Sequence, residues 1–263
     1  MEHLSSSSTA RSEPAPETGS ASGLSRDHSD EVVPRSVSIV VPTFNEAENV
    51  ERVISRCRQA MDGRDYELLI VDDDSPDGTW QVAEAAGEDI DEVRVLRRQS
   101  ERGLGTAVVH GFERAKKDFC LVIDADLQHP PELIPELANH VTEYVDVVIG
   151  SRYRKGGQVV NWPLSRQLIS RGAIALTKLC LAETRGLNDP LSGFFLVRRS
   201  VVDDVDLEPM GYKILLEVLV QCEYGHVVEV PYQFDERRFG QSKLTTDACR
   251  VFVEHLLTLR SGT

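Results

Sequence analysis

Long apolar runs, paired cysteines and lysine are all scarce in this 263-residue chain. No run approaches the roughly 18 apolar residues that cross a bilayer, and the N-terminus has no apolar signal segment, so a cytoplasmic protein is expected. The five cysteines (Cys57, Cys120, Cys180, Cys222 and Cys249) are odd in number, widely spread and without a Cys-x-x-Cys pair. That excludes a disulfide framework and a zinc knuckle and points to a reducing compartment. Only six residues are lysine against 23 arginines, and 43 acidic residues against 29 basic ones leave a net charge of −14. This charge disfavours nucleic acid as a partner and general adhesion to anionic lipid. An acidic, lysine-poor surface suits a salt-rich cytoplasm, where screening relieves self-repulsion, so a halophilic source is the expectation. Equal stability in dilute buffer and in molar KCl would remove it.

Large apolar residues are nearly missing from residues 1–34, which are rich in Ser, Glu, Pro and Gly. Such a segment cannot bury enough surface to fold, and a disordered tail is expected. From Val37 short apolar runs alternate with amphipathic segments. Strands are predicted at 37–41, 66–71, 93–96, 119–123 and 144–149, with helices at 46–60, 78–86, 103–117 and one opened by Pro130-Pro131. The alternation predicts an α/β fold with a mostly parallel sheet covered on both faces. Beyond Gly150 the rhythm breaks. A long helix is expected at about 164–181, strands at 194–197 and 227–230 around a helix at 213–223, and an amphipathic segment at 244–259. The expected organisation is one folded domain over 35–243 and a C-terminal amphipathic helix over 244–263. Leu244, Ala248, Val251, Phe252, Leu256 and Leu259 form its apolar stripe. The stripe suits packing on the protein's own core or an interfacial position on a membrane, and peripheral attachment is the expectation carried forward.

Acids are missing where bases cluster. Residues 151–182 hold Arg152, Arg154, Lys155, Arg166, Arg171 and Lys178 without one Asp or Glu. A solvated helix face is the plain explanation. In so acidic a chain, however, arginines placed directly after the last predicted parallel strand suit a phosphorylated partner. The acids gather in loops at predicted strand ends: Pro42-Thr43-Phe44-Asn45-Glu46, Asp72-Asp73-Asp74-Ser75-Pro76-Asp77-Gly78-Thr79 and Asp124-Ala125-Asp126-Leu127-Gln128. Parallel strands place all three on one rim, where open α/β sheets bind ligands. Asp77 or Ser75 is expected to cap a helix, but three consecutive aspartates exceed what capping requires. Asp124 and Asp126 repel one another unless a cation lies between them. A divalent ion shared with substrate phosphates resolves that, with Gln128 as a third oxygen donor. Gly103-Leu104-Gly105-Thr106-Ala107-Val108 is not a dinucleotide fingerprint, because Val108 stands where a third glycine belongs; its helix N-terminus can still approach a substrate. His129 reads as a structural neighbour with no zinc set around it, and the residues after Asp124 do not favour an aspartyl-phosphate hydrolase.

These loops appear in order with Ser151-Arg152-Tyr153, Asp189-Pro190-Leu191-Ser192-Gly193-Phe194-Phe195, Gly211-Tyr212-Lys213 and Arg237-Arg238-Phe239-Gly240-Gln241-Ser242-Lys243-Leu244. Together, over about 37–250, they resemble the family 2 glycosyltransferases of the GT-A fold, and within them the dolichyl-phosphate mannosyltransferase group. The resemblance implies a Rossmann-like sheet flanked by helices, with a C-terminal extension on the acceptor side. It implies a nucleotide-sugar donor site at Pro42, Phe44, Glu46, Asp72, Asp74 and Ala125, completed by Lys213, Arg237 and Lys243 on a closing loop. It implies Mg²⁺ or Mn²⁺ at Asp124, Asp126 and Gln128. Arg152, Arg166 and Ser170 match acceptor-phosphate positions, and Asp124 and Arg152 are the implied catalytic residues. The implied reaction is inverting transfer of a hexose onto dolichyl or polyprenyl phosphate at the inner face of the cell membrane, for protein glycosylation. Mannose from GDP-mannose is favoured over UDP-glucose or UDP-N-acetylglucosamine as donor. Many members of the group carry transmembrane helices after this domain, and none is visible here up to Thr263. A non-catalytic nucleotide-sugar-binding subunit would show erosion of these residues, which are all present. A polysaccharide-extending transferase would want a further carboxylate base for a neutral hydroxyl, which the acid-free stretch does not offer.

Overall fold

The computed structural model describes residues 35–234 and 246–262, with side chains from Cys249 onward in the second segment. The tail expected at 1–34, and Arg237, Lys243 and Leu244 with the boundary between them, lie outside the described residues. Nine elements alternate first: β1 (Val37–Thr43), α1 (Val50–Ala60), β2 (Tyr66–Asp72), α2 (Thr79–Gly87), β3 (Val93–Arg97), α3 (Leu104–Arg114), β4 (Phe119–Val122), α4 (Ile134–Asn139) and β5 (Val145–Ser151). They are followed by β6 (Gln158–Val159), α5 (Leu164–Cys180), β7 (Phe195–Arg198), α6 (Arg199–Val202), α7 (Ile214–Gln221), β8 (His226–Pro231), β9 (Gln233–Phe234) and α8 (Thr246–Gly262).

Seven strands form one sheet in the order β3-β2-β1-β4-β7-β5-β8, and β6 pairs β9 separately. Period-two alternation sends β1 residues to two helix layers. Val37, Ile39 and Val41 meet Val50, Val53, Ile54 and Cys57 of α1 on one face. Val40 meets Ala107, Val108 and Phe112 of α3 on the other. Each such side chain contributes about 1.5–3 kcal/mol on burial, which is why the strands read as continuous apolar runs.

Three details depart from expectation. β1 runs through Pro42 to Thr43, in register with Val71 and Asp72. Val40 accepts the Ile123 amide, so alternate residues of β1 face β4, and that pairing has ended at Val122 when Pro42 is reached. The missing Pro42 N–H therefore breaks no ladder bond. Helix α1 begins at Val50 and not at 46, because Asn45 takes φ 58° and Glu46 closes a turn onto the amides of Asn49 and Val50. Finally, β7 runs antiparallel between β4 and β5. Its first residue, Phe195, pairs with Val122 and Ile149, so the segment before it arrives at the end of the sheet where β4 and β5 terminate.

Helix α8 packs on the core. Leu256 and Leu259 are buried with Ile174, Leu181, Leu191 and Leu216, and Phe252 lies against them. Inside the same contact, His255 Nε2 and Glu217 Oε1 of α7 are 2.7 Å apart. The described part of the stripe proposed for a membrane is thus largely occupied by the protein itself.

Candidate active site

Parallel strands bring the ends of β1, β2, β4 and β5 to one rim, and the reversed β7 adds the 188–194 segment to it. β8 runs parallel to β5 and ends with Pro231 beside Ser151, delivering Tyr232 and Phe234 to the same place. The predicted crevice is therefore assembled from six strands.

The first two loops are stitched together. Ser75 Oγ accepts the Asn45 amide, Thr79 Oγ1 the Glu46 amide and Asp77 Oδ2 the Ala47 amide. Asp77 also accepts the Thr79 amide, although the helix N-cap is Gly78. Asp72 is fully buried and accepts from Thr43 Oγ1, Ser75 Oγ and the Ser75 amide at 2.6–2.9 Å. The carboxylate thereby ties the end of β1 to the loop that follows β2. Asp73 Oδ2 accepts the Gly103 amide, and its Oδ1 lies 3.1 Å from buried Arg98. Burial raises the Asp73 pKa despite this cation. Asp74, at φ 53°, pairs with Arg97, which stacks over Trp80. Pro42 is buried, Phe44 is half-buried under the Arg102 guanidinium, and Glu46 accepts from Asn49 Nδ2.

The third loop is built differently. The Asp124 side chain is 34% exposed. Its Oδ2 lies 3.6 Å from His129 Nδ1, and burial pushes the His129 pKa down to about 4, leaving the ring neutral. That ring stacks on Phe194 and meets Tyr232 and Phe234 edge-on. A Cβ at Gly193 would stand 3.3 Å from Asp124 Oδ2 and 3.4 Å from His129, so only glycine leaves this approach uncrowded. Asp126 is buried and its Oδ1 accepts the Gln128 amide. Leu127 between them takes φ 61°, a strain of about 1–3 kcal/mol held by burial of its side chain. Ala125 is buried and offers a ligand only its backbone. Among the described residues no three His, Cys, Asp or Glu side chains converge. Two carboxylates and an amide are nevertheless hard oxygen donors, and suit Mg²⁺ or Mn²⁺ completed by phosphate oxygens.

Opposite this loop stands a buried polar ladder. Glu229 accepts the amides of Asn188 and Asp189, and Asp189 accepts the Arg152 side chain in two bonds of 2.7 Å plus the Arg152 amide. Burial lowers the Arg152 pKa, but Asp189 overrides that and holds it above the ordinary value. Lys213 Nζ donates to Leu191 O. Burial, then Arg152, lowers its pKa to about 8, against the pull of Asp124 and Asp189. Lys213 is placed by Gly105, whose amide donates to Gly211 O at 3.1 Å and whose Cβ, if present, would strike that oxygen at 2.7 Å. Gly105 of α3 thus docks the Lys213 segment. Arg166 lies over Trp162 at 3.9 Å, and Ser170 accepts from Tyr153 OH at 2.8 Å. Asp189, Glu229 and Gly193 were not predicted as site residues. Asp189 and Gly193 stand in a motif of the resemblance without an assigned role, and the signal for Glu229 was its charge inside the apolar run Val227-Val228-Glu229-Val230.

An acid-bearing rim on a mixed sheet of this topology defines the class. The chain belongs to glycosyl transferase family 2, which matches residues 38–206. Individual relatives narrow the likeness. The dolichol-phosphate mannosyltransferase of Pyrococcus furiosus is 47% identical over 223 residues, 85% of this chain and 63% of that protein. This chain therefore spans less than two thirds of that relative. The Saccharomyces cerevisiae dolichol-phosphate mannosyltransferase is 33% identical over 236 residues, covering 85% of each chain. Among solved structures, mannosyl-3-phosphoglycerate synthase from Rubrobacter xylanophilus is 25% identical with a TM-score of 0.64, covering 87% of this chain and 75% of that one. Glucosyl-3-phosphoglycerate synthase from Mycobacterium tuberculosis, in complex with Mn²⁺, UDP-glucose and phosphoglyceric acid, is 21% identical with a TM-score of 0.66, covering 86% and 80%. The last likeness concerns the fold.

Proposed function

We propose that this chain is a metal-dependent inverting glycosyltransferase that moves mannose from GDP-mannose to the phosphate of a dolichyl or polyprenyl phosphate. The observation that carries the reading is Asp124, partly open at the strand rim and within reach of the Lys213 charge. The names of the Pyrococcus and yeast relatives support the substrate class. Asp124, Asp126 and Gln128 would hold Mg²⁺ or Mn²⁺, which when bound neutralises charge on the donor diphosphate. Lys213, with Arg237 and Lys243, adds cationic stabilisation of the departing nucleoside diphosphate. Pro42, Phe44, Glu46 and Asp74 border the donor side.

Arg166 and Ser170 receive the acceptor phosphate beside Arg152, which Asp189 holds in a fixed orientation. A phosphate oxygen of the acceptor bonds to the sugar's anomeric carbon as the bond from that carbon to the diphosphate breaks, inverting the configuration. The acceptor is already anionic, so no general base is needed. His129, buried and neutral, is not assigned that role.

No described helix is long and apolar enough to cross a membrane, and the reading places the protein peripherally on the inner face of the cell membrane. The contact moves from α8 to α5, whose Leu164, Leu168 and Leu179 are 77%, 70% and 74% exposed. The test is incubation of the full chain with Mn²⁺, dolichyl phosphate and each labelled nucleotide sugar. Label from GDP-mannose is expected in the organic phase. Label only from UDP-glucose or UDP-N-acetylglucosamine would reassign the donor, and none from any donor would overturn the reading.

A further inference from the structure

The acid-free stretch divides in two in the folded protein. Arg152 is buried within the site. Arg171 and Lys178, one helical face further along α5, line a separate cavity of about 320 Å³ with Tyr153, Ile174, Ala175 and Asn188. That volume falls within the range of small-molecule sites. The Tyr153 ring marks the division, with the Arg152 guanidinium 5.4 Å and the Arg171 guanidinium 6.0 Å from its centroid. Asn188 on the cavity wall is tied by its side-chain amide to Glu229 at 2.6 Å. Neither Arg171 nor Lys178 forms an ion pair with a carboxylate among the described residues. Along α5 the two cations border the exposed face of Leu164, Leu168 and Leu179, with exposed Ala175 where they meet. On a chain of net charge −14, a cationic cavity edging an apolar helix face is complementary to one kind of surface: anionic headgroups above acyl chains.

We propose that this cavity binds the headgroup phosphate of an anionic phospholipid, a site separate from that of the lipid-phosphate acceptor. Arg171 and Lys178 take the phosphate while Leu168 and Leu179 enter the acyl boundary. The site orients the acceptor side of the crevice toward the bilayer. The proposal rests on the peripheral-membrane reading above. The test is flotation of the full chain, at low ionic strength, with vesicles of phosphatidylcholine alone or mixed with phosphatidylglycerol.

The chain is expected to partition more strongly onto the anionic vesicles. The variant Arg171→Gln/Lys178→Gln loses about thirty-fold of that binding, the size expected of two surface cations, and binds neutral vesicles as before. Leu168→Asp/Leu179→Asp loses binding to both. Turnover on detergent-dispersed acceptor stays unchanged in the cation variant. Equal wild-type binding to both vesicles would overturn the headgroup site and leave peripheral attachment standing; no binding to either would overturn both. Loss of turnover by the cation variant would assign these cations to the acceptor. Release by millimolar inorganic phosphate at constant ionic strength would make the cavity a free-anion site.

Discussion

Two acidic loops leave strands that flank β1 on either side, one after β2 and one after β4. On paper they look alike. In the structure every aspartate of the first is engaged by the loop's own surroundings: Asp72 by Thr43 and Ser75, Asp73 by Gly103 and Arg98, Asp74 by Arg97. The second keeps Asp124 beside a neutral imidazole and a glycine, in the field of Lys213. Runs of acid that read alike in sequence are thus set in unlike surroundings.

The contrast can be broken at its strongest point first. Asp124→Ala is expected to lower turnover at least a thousand-fold, about 4 kcal/mol of transition-state stabilisation, with thermal unfolding nearly unmoved. Substantial residual metal-dependent activity would sink the assignment. Asp72→Ala should do the reverse, costing about 3 kcal/mol in denaturant unfolding because buried hydroxyl and amide donors lose their acceptor. Lys213 sharpens the comparison through pH. Its pKa near 8 means its positive charge is present below that value and is lost as pH rises through it. Then kcat/KM should fall about tenfold above pH 8, and Lys213→Arg should flatten that limb. The smallest effect is expected at Asp74→Asn, which removes a rim ion pair and should shift stability by less than about 1 kcal/mol.

Much of the fold was legible because buried strands are apolar runs and covering helices are amphipathic. Boundaries shifted where a single residue had partners that sequence does not display, as at Asn45 and Pro42. The direction of β7 was not legible, since Phe-Leu-Val-Arg reads the same whichever way it is laid. Of the expected site residues, Asp124, Asp126 and Arg152 follow the ends of β4 and β5 at one rim, and Lys213 is near enough to feel the charges of Asp124 and Arg152. Asp189 stood within a recognised motif without an assigned role, because its value lies in what it holds. The outward face of α5 was missed for a related reason: apolar residues surround that helix on most sides, and periodicity does not say which of them the core will claim.

The reversed strand β7 carries a consequence for the order of assembly. The ladder that fixes Arg152 joins residues 37 and 40 positions apart, through Asp189 to Glu229 on β8. Closing such long loops must precede the contacts that reward it. The nucleotide-side loops close comparable spans of about 30 residues, but their residues leave the ribosome first. A chain emerging from synthesis therefore shapes its donor wall early and its acceptor wall last. Until β8 docks, the cation at position 152 has no fixed address.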